Sequence, residues 1–219
     1  MTSFESHPWF NEDTDSPEYN FKIVFIGDSG VGKSKLTDRF KNNQFLPDSK
    51  ATVGVDFSNH VVKIDRKFVR LTLWDTAGQE RYRSFASSYF KDADGIFLVF
   101  DLTNPDSFDS LEKWIELANS HIALESVSLV VLGNKKDLEE QRKVSAEIIS
   151  DFVHKKGFKY FETSALLDEN NNVCKAMQAL VEEMMGIEHE ASVTSEKLKQ
   201  LSFQNVNRKD EADNKGGCC

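Results

Sequence analysis

The sequence predicts a doubly wound α/β fold: a six-stranded, mostly parallel sheet with one antiparallel edge strand and about five helices. Three observations carry that prediction. Continuous apolar runs such as Gly95-Ile96-Phe97-Leu98-Val99-Phe100 and Val127–Leu132 lack polar alternation, as strands covered on both faces do. The segments between them place apolar residues at helical spacing. A glycine-rich turn, Gly27-Asp28-Ser29-Gly30-Val31-Gly32-Lys33-Ser34, joins an apolar run to a helix-like stretch, where such a sheet holds its ligand.

In chain order, residues 1–20 come first. They carry Glu5, Glu12, Asp13, Asp15 and Glu18 and read as an acidic, flexible extension, with Trp9 and Phe10 apolar within it. Residues 21–186 form the predicted domain. Phe21–Ile26 is its first strand and Lys33–Lys41 its first helix. Phe57–Ile64 and Phe68–Trp74 are two strands joined tightly at Asp65-Arg66, a hairpin. The two apolar runs above follow, and Phe158–Phe161 is the sixth strand. Phe108, Leu111, Ile115, Ala118 and Ile122 mark one amphipathic helix. Ile149, Phe152 and Val153 mark another, behind a Ser145 cap. Val173, Met177, Leu180 and Met184 mark the last, with Cys174 beside the stripe as a packed residue rather than a reactive thiol. Residues 187–219 lose the periodicity and read as a flexible tail ending in Gly216-Gly217-Cys218-Cys219.

Composition narrows the functions. The formal net charge is -9 over 219 residues, which argues against a nucleic-acid binder. No apolar stretch is long enough for a membrane-spanning helix, and Met1–Asn20 does not resemble a signal peptide. Three cysteines, Cys174, Cys218 and Cys219, fit a reducing compartment better than a disulfide framework. A monomer is expected.

Strand, glycine loop and helix in this order are the phosphate-binding arrangement of P-loop NTPases. The glycines let the backbone turn tightly around an anion, and successive N–H groups with the following helix N-terminus hold it. Ser29, Gly30, Val31, Gly32, Lys33, Ser34 and Lys35 are the candidate contacts, Lys33 reaching the β- and γ-phosphates and the Ser34 hydroxyl ligating Mg²⁺. A phosphate cradle alone fits ATPases, kinases and GTPases. Asn134-Lys135-Lys136-Asp137 after a strand decides among them. The Asp137 carboxylate offers two adjacent acceptors, complementary to the N1–H and N2–H₂ donors of guanine, whereas adenine would leave that charge unpaired. Lys135 can lie across the base. In Glu162-Thr163-Ser164-Ala165-Leu166, after the next strand, the Ala165 N–H could meet guanine O6. Asp75, closing the strand that ends at Trp74, can hold Mg²⁺ through water. In Asp75-Thr76-Ala77-Gly78-Gln79-Glu80, the Gly78 amide could sense a γ-phosphate and Gln79 could orient the attacking water. Thr52, 18 residues after Ser34, is a second candidate Mg²⁺ ligand, though a loop threonine is also common without any such role.

These motifs occur in the order and spacing of the Ras superfamily of small GTPases and more closely resemble its Rab branch, across about residues 21–186. The Rab-like pieces are Val53-Gly54-Val55-Asp56-Phe57, Arg70-Leu71-Thr72-Leu73-Trp74, Arg81-Tyr82-Arg83-Ser84-Phe85, Tyr89-Phe90-Lys91-Asp92-Ala93 and Leu98-Val99-Phe100-Asp101-Leu102-Thr103. The resemblance implies a GTP/GDP switch that slowly hydrolyses GTP with Mg²⁺ and recruits effectors to membranes in vesicle trafficking. It implies that the Phe45 ring stacks edge-on against guanine, that Thr52 closes over Mg²⁺ and the γ-phosphate, and that Gln79 and Lys33 are the catalytic pair. Val53, Gly54, Val55, Asp56 and Phe57 with Trp74 and Tyr89 form the implied effector surface, Phe57, Trp74 and Tyr89 being an exposed aromatic triad; ordinary core or hairpin packing is the alternative for these rings. Exchange factors, GTPase-activating proteins and a GDP-dissociation inhibitor or escort protein are implied partners. Cys218 and Cys219 resemble a double-prenylation site, which implies the cytoplasmic face of an intracellular membrane and a cytosolic pool. Two lipid chains anchor stably where one does not, which matters because Glu188–Lys215 holds six acidic and five basic side chains and is not polybasic. Leu166 stands where the family usually has lysine, and Lys35 where small or apolar residues are usual.

Overall fold

The computed structural model describes residues 4–6, 17–45, 55–76, 86–168 and 170–186. Seven strands form one sheet: β1 (Phe4–Ser6), β2 (Tyr19–Ile26), β3 (Val55–Ile64), β4 (Lys67–Thr76), β5 (Gly95–Asp101), β6 (Ser128–Asn134) and β7 (Lys159–Glu162), in the order β1-β3-β4-β2-β5-β6-β7. β4, β2, β5, β6 and β7 run parallel. β3 returns antiparallel on β4. The six predicted strands are all present, and β3 is the antiparallel one. The seventh, β1, was not expected. It lies inside the segment read as a flexible extension and pairs antiparallel with the outer edge of β3, Phe4 opposite Ile64 and Ser6 opposite Val62. An open edge presents unpaired main-chain groups that any extended segment can satisfy.

The hairpin between β3 and β4 turns where the sequence places it. Asp65 and Arg66 both take positive φ, 47° and 69°, the two-residue geometry that matches strand twist. β5 is buried along its whole length and β6 along nearly all of it, which explains their unbroken apolar runs. Helices cover both faces. One core joins Val24, Ile26, Ile96, Leu98, Phe100 and Val131 to α2 (Ala86–Phe90), α4 (Leu111–Asn119) and α5 (Ala146–Lys156). On the other face lie α1 (Lys33–Asn42) and α6 (Asn172–Met184), with Leu36, Phe40, Met177 and Leu180 buried. Gly95 keeps that second layer close, since a Cβ there would meet Met184 Sδ at 2.9 Å.

The stripe read as one helix over Phe108–Ile122 is divided into α3 (Pro105–Asp109) and α4 at Ser110. Asn104 caps the start, its side chain accepting from Asp106 N, with proline in the first turn. Ser145 caps α5 as expected, accepting from Ile148 N. Among the described residues, no helix is long and apolar enough to cross a membrane.

Candidate functional site

The C-terminal ends of β2, β4, β5, β6 and β7 converge on one edge of the sheet, and the predicted motifs follow them. After β2 the chain turns through Gly27 (φ 138°), Gly30 (φ 80°) and Gly32 (φ 100°). Two of these glycines also answer to space. A Cβ on Gly27 would lie 2.1 Å from Val99 O, and one on Gly32 would lie 2.3 Å from Asn134 Nδ2. α1 starts at Lys33 with glycine as N-cap, no side-chain cap hydrogen bond and no acidic residue in its first turn. A helix opening this way suits an anion.

Lys33 is buried, and its Nζ donates to Gly27 O at 2.8 Å and Asp28 O at 2.9 Å, so the ammonium arches over the loop. Burial lowers its pKa to about 8, opposed by the charges of Asp75 and Asp28. Asp75, 8% exposed, is the penultimate residue of β4, and Thr76 anchors that strand end by donating to Phe25 O at 2.7 Å. Ser34, in the first turn of α1, and Asp75, near the end of β4, carry hard oxygen donors, the chemistry Mg²⁺ takes.

Asn134 joins the base motif to the cradle. Its Nδ2 donates to Val31 O at 2.8 Å across 103 positions of sequence. Its Oδ1 accepts from Thr163 Oγ1 at 3.4 Å, and Thr163 N donates to Gly133 O at 2.8 Å. Lys136 N donates to Thr163 O at 3.0 Å, and Ser164 Oγ donates to Asp137 Oδ1. The loops after β6 and β7 are thus stitched together. Lys135, expected across the base, takes a left-handed backbone, and its Nζ pairs with Asp101 Oδ2 at 2.7 Å. The Asp101 carboxyl lies below its usual range: burial pushes it up, but hydrogen bonds from Lys135 and Thr103 outweigh that.

Ala165 is buried, while the Leu166 side chain is 45% exposed. Phe45 is partly buried, with Lys35 Nζ 5.0 Å from its ring centroid. Val55, Asp56 and Phe57 open β3, and Phe57, 64% exposed, stacks on its cross-strand partner Trp74 at 5.8 Å. Tyr89 departs from expectation. It is 4% exposed, packed in the core beside Phe90 with ring centroids 4.7 Å apart, so the aromatic surface is a pair here rather than a triad. Thr52, Val53, Gly54, Gly78, Gln79, Cys218 and Cys219 lie outside the described residues.

Three supports were not read from the sequence. Trp114 Nε1 donates to Asp28 Oδ1 at 2.8 Å, tying α4 to the phosphate loop. Arg142 donates to both Glu139 and Glu162 at 2.7–3.0 Å, joining the segment after Asp137 to the end of β7. Tyr160 also donates to Glu162, at 3.1 Å. Trp114–Asp28 and Arg142–Glu162 join residues far apart along the chain, and Tyr160–Glu162 is an ordinary alternate pair along one strand, so no spacing rule singles them out.

A phosphate loop after β2 with two stitched base loops after β6 and β7 defines the class: a P-loop guanine-nucleotide-binding α/β domain. Known proteins agree. The Ras family profile matches residues 22–186. Ras-related protein YPTC6 of Chlamydomonas reinhardtii is 38% identical over 94% of this chain and 97% of its own length. Ras-related protein RABA2a of Arabidopsis thaliana is 38% identical over 92% and 94%, and Ras-related protein Rab11A of Lotus japonicus 42% identical over 82% and 78%. The chain belongs to the Ras family, in its Rab branch. It is a Rab-like small GTPase, a GTP hydrolase, and the switch and vesicle-trafficking roles are those general to that family.

Proposed function

We propose that this chain holds guanine through Asp137, with Ser164, Ala165 and Leu166 as the second base loop and Phe45 at the ring edge, and holds the phosphates through Ser29–Lys35. The observation that supports this most is the Asn134–Val31 hydrogen bond at 2.8 Å, which ties the base motif to the phosphate loop. Ser164 bound to Asp137 keeps the carboxylate aimed.

Ser34, Asp75 and Thr52 are the residues offered for Mg²⁺, Asp75 through water. The ion would supply charge neutralisation at the β- and γ-phosphate oxygens. Gln79 orients the attacking water, Lys33 and the loop amides stabilise charge developing on the γ-phosphoryl group, and Gly78 donates to it. No residue of the motifs is an evident arginine finger, and intrinsic turnover is slow, on the order of 10⁻⁴–10⁻³ s⁻¹, a GTPase-activating protein supplying the missing charge. The γ-phosphate orders residues around 44–57 and 76–90 into the effector surface, and its loss releases them. Exchange factors and a GDP-dissociation inhibitor or escort protein complete the cycle. The tail 187–219 tethers the domain to the cytoplasmic face of an intracellular membrane through prenyl groups on Cys218 and Cys219, with a cytosolic pool.

Gln79→Leu tests the hydrolytic part. Single-turnover phosphate release falls on the order of tenfold or more while GDP affinity holds. Unchanged turnover, with and without a GTPase-activating protein, removes Gln79 from the mechanism.

A further inference from the structure

Arg39 projects from α1, the helix that Lys33 opens, and reaches the loop after β7. Its Nε donates to Ala165 O at 2.7 Å and its Nη2 to Leu166 O at 2.7 Å, across 126 and 127 positions of sequence. Its Nη1 donates to Asn43 O at 3.1 Å, the residue that caps α1. A planar guanidinium held on two consecutive carbonyls fixes the loop in direction as well as distance; an ammonium on a flexible stem does neither. The carbonyls belong to two consecutive peptides, Ala165–Leu166 and Leu166–Leu167, and the same short loop carries the Ala165 N–H offered to guanine O6.

We infer that Arg39 is a positioning residue that latches the base loop to the phosphate helix, so that retention of guanine at its O6 edge depends on a side chain that touches no nucleotide. The inference rests on the nucleotide site proposed above. It also accounts for Leu166. Leu166 is 45% exposed while its carbonyl is gripped, so the loop is placed through its main chain and tolerates leucine where the family usually has lysine. The latch and the Asn134–Val31 bond are two separate straps, one from the loop after β7 to α1 and one from the end of β6 to the phosphate loop.

The test uses the full chain, with GDP and 6-thio-GDP as displaced ligands. Sulfur at position 6 accepts hydrogen bonds weakly, so the ratio of the two release rates reports the Ala165 amide. Arg39→Met keeps the aliphatic stem and loses every donor. It should release GDP about tenfold faster, from the two hydrogen bonds lost to the base loop, while 6-thio-GDP release changes far less, so that the discrimination between the two narrows. Arg39→Lys, which can serve one carbonyl, should fall between wild type and Arg39→Met, and it carries the same comparison if the methionine variant does not fold. Equal acceleration of both ligands would reduce Arg39 to general stability and overturn the inference, as would no acceleration. A wild-type chain that holds no GDP would instead remove the nucleotide-site reading itself.

Discussion

The nucleotide pocket and the outer face of the β3–β4 hairpin are built by opposite means. The pocket is a set of buried and half-buried polar straps between elements distant in sequence: Asn134 to Val31, Trp114 to Asp28, Lys135 to Asp101 and Thr163 to Asn134. The hairpin face is a regular ladder carrying an aromatic pair, exposed Phe57 on half-buried Trp74. Lys22 lies 3.9 Å from the centre of the Trp74 ring and also donates to Lys91 O at 2.6 Å and Ser88 O at 3.3 Å, joining the aromatic pair to the end of α2. Burial lowers the Lys22 pKa, opposed by Asp92 and Asp94. A small ligand of fixed shape rewards donors locked in advance, because a buried polar group left unmatched is costly. A protein partner rewards apolar area that the free chain leaves exposed. One half of the molecule should therefore be sensitive to single polar atoms and the other to the loss of a ring.

The largest expected effect is on the pocket side. Asp137→Asn replaces an acceptor with a donor at the guanine edge, and GDP affinity should fall about 100-fold or more, from two charge-assisted hydrogen bonds. Xanthosine diphosphate, with a carbonyl at C2, should recover part of the loss. Competition against a fluorescent nucleotide reads both, and full GDP affinity in the variant would mean that guanine is read elsewhere.

On the hairpin side, Phe57→Ala should weaken capture of a GTP-dependent partner about 30-fold, the effect of a central interface ring. Its GDP release and melting temperature should stay near wild type, since the ring is 64% exposed. A pull-down against GTP-loaded protein, paired with thermal melting, separates the two; a large drop in melting temperature would make Phe57 a structural residue and blur the contrast.

Trp114→Phe keeps a smaller ring in the core and removes the donor to Asp28. About tenfold faster GDP release is expected, from one hydrogen bond to a charged partner. A rate equal to wild type would leave the strap between α4 and the phosphate loop without consequence for binding.

The smallest effect is on pH dependence. Burial, then the nearby Lys41, lowers the pKa of His60, which sits edge-on to Phe40 at 5.0 Å. The folded chain then binds fewer protons than the unfolded chain as pH falls through the ordinary histidine range, so stability is lost on acidification there. His60→Gln should flatten the fall in melting temperature between about pH 7.5 and pH 5.5; an unchanged slope would assign the fall to carboxylates instead.

The sequence made the phosphate loop and the hairpin legible for a local reason. Their geometry is set within a few residues, by glycines at Gly27, Gly30 and Gly32 and by the left-handed Asp65-Arg66 turn. β5 and β6 were legible because burial on both faces leaves no polar alternation. The break at Ser110 was hidden because α3 and α4 present the same apolar stripe: Phe108, Leu111 and Ile115 belong to one core on both sides of it. β1 was hidden because three residues have no period, and its pairing is main chain to main chain. Tyr89 was placed on the surface by resemblance, and the packing of α2 buries it. The straps to Asp28, Ala165 and Glu162 come from topology, which brings strand ends together without leaving a mark in local spacing.

The identity of the nucleotide held by the native chain tests the central claim most directly. Denaturing purified protein and separating what it releases should yield GDP or GTP at about one per chain, and chain stripped of nucleotide should rebind GDP well below about 1 µM. Release of an adenine nucleotide, or failure of the folded chain to retain any guanine nucleotide at that concentration, would contradict the account.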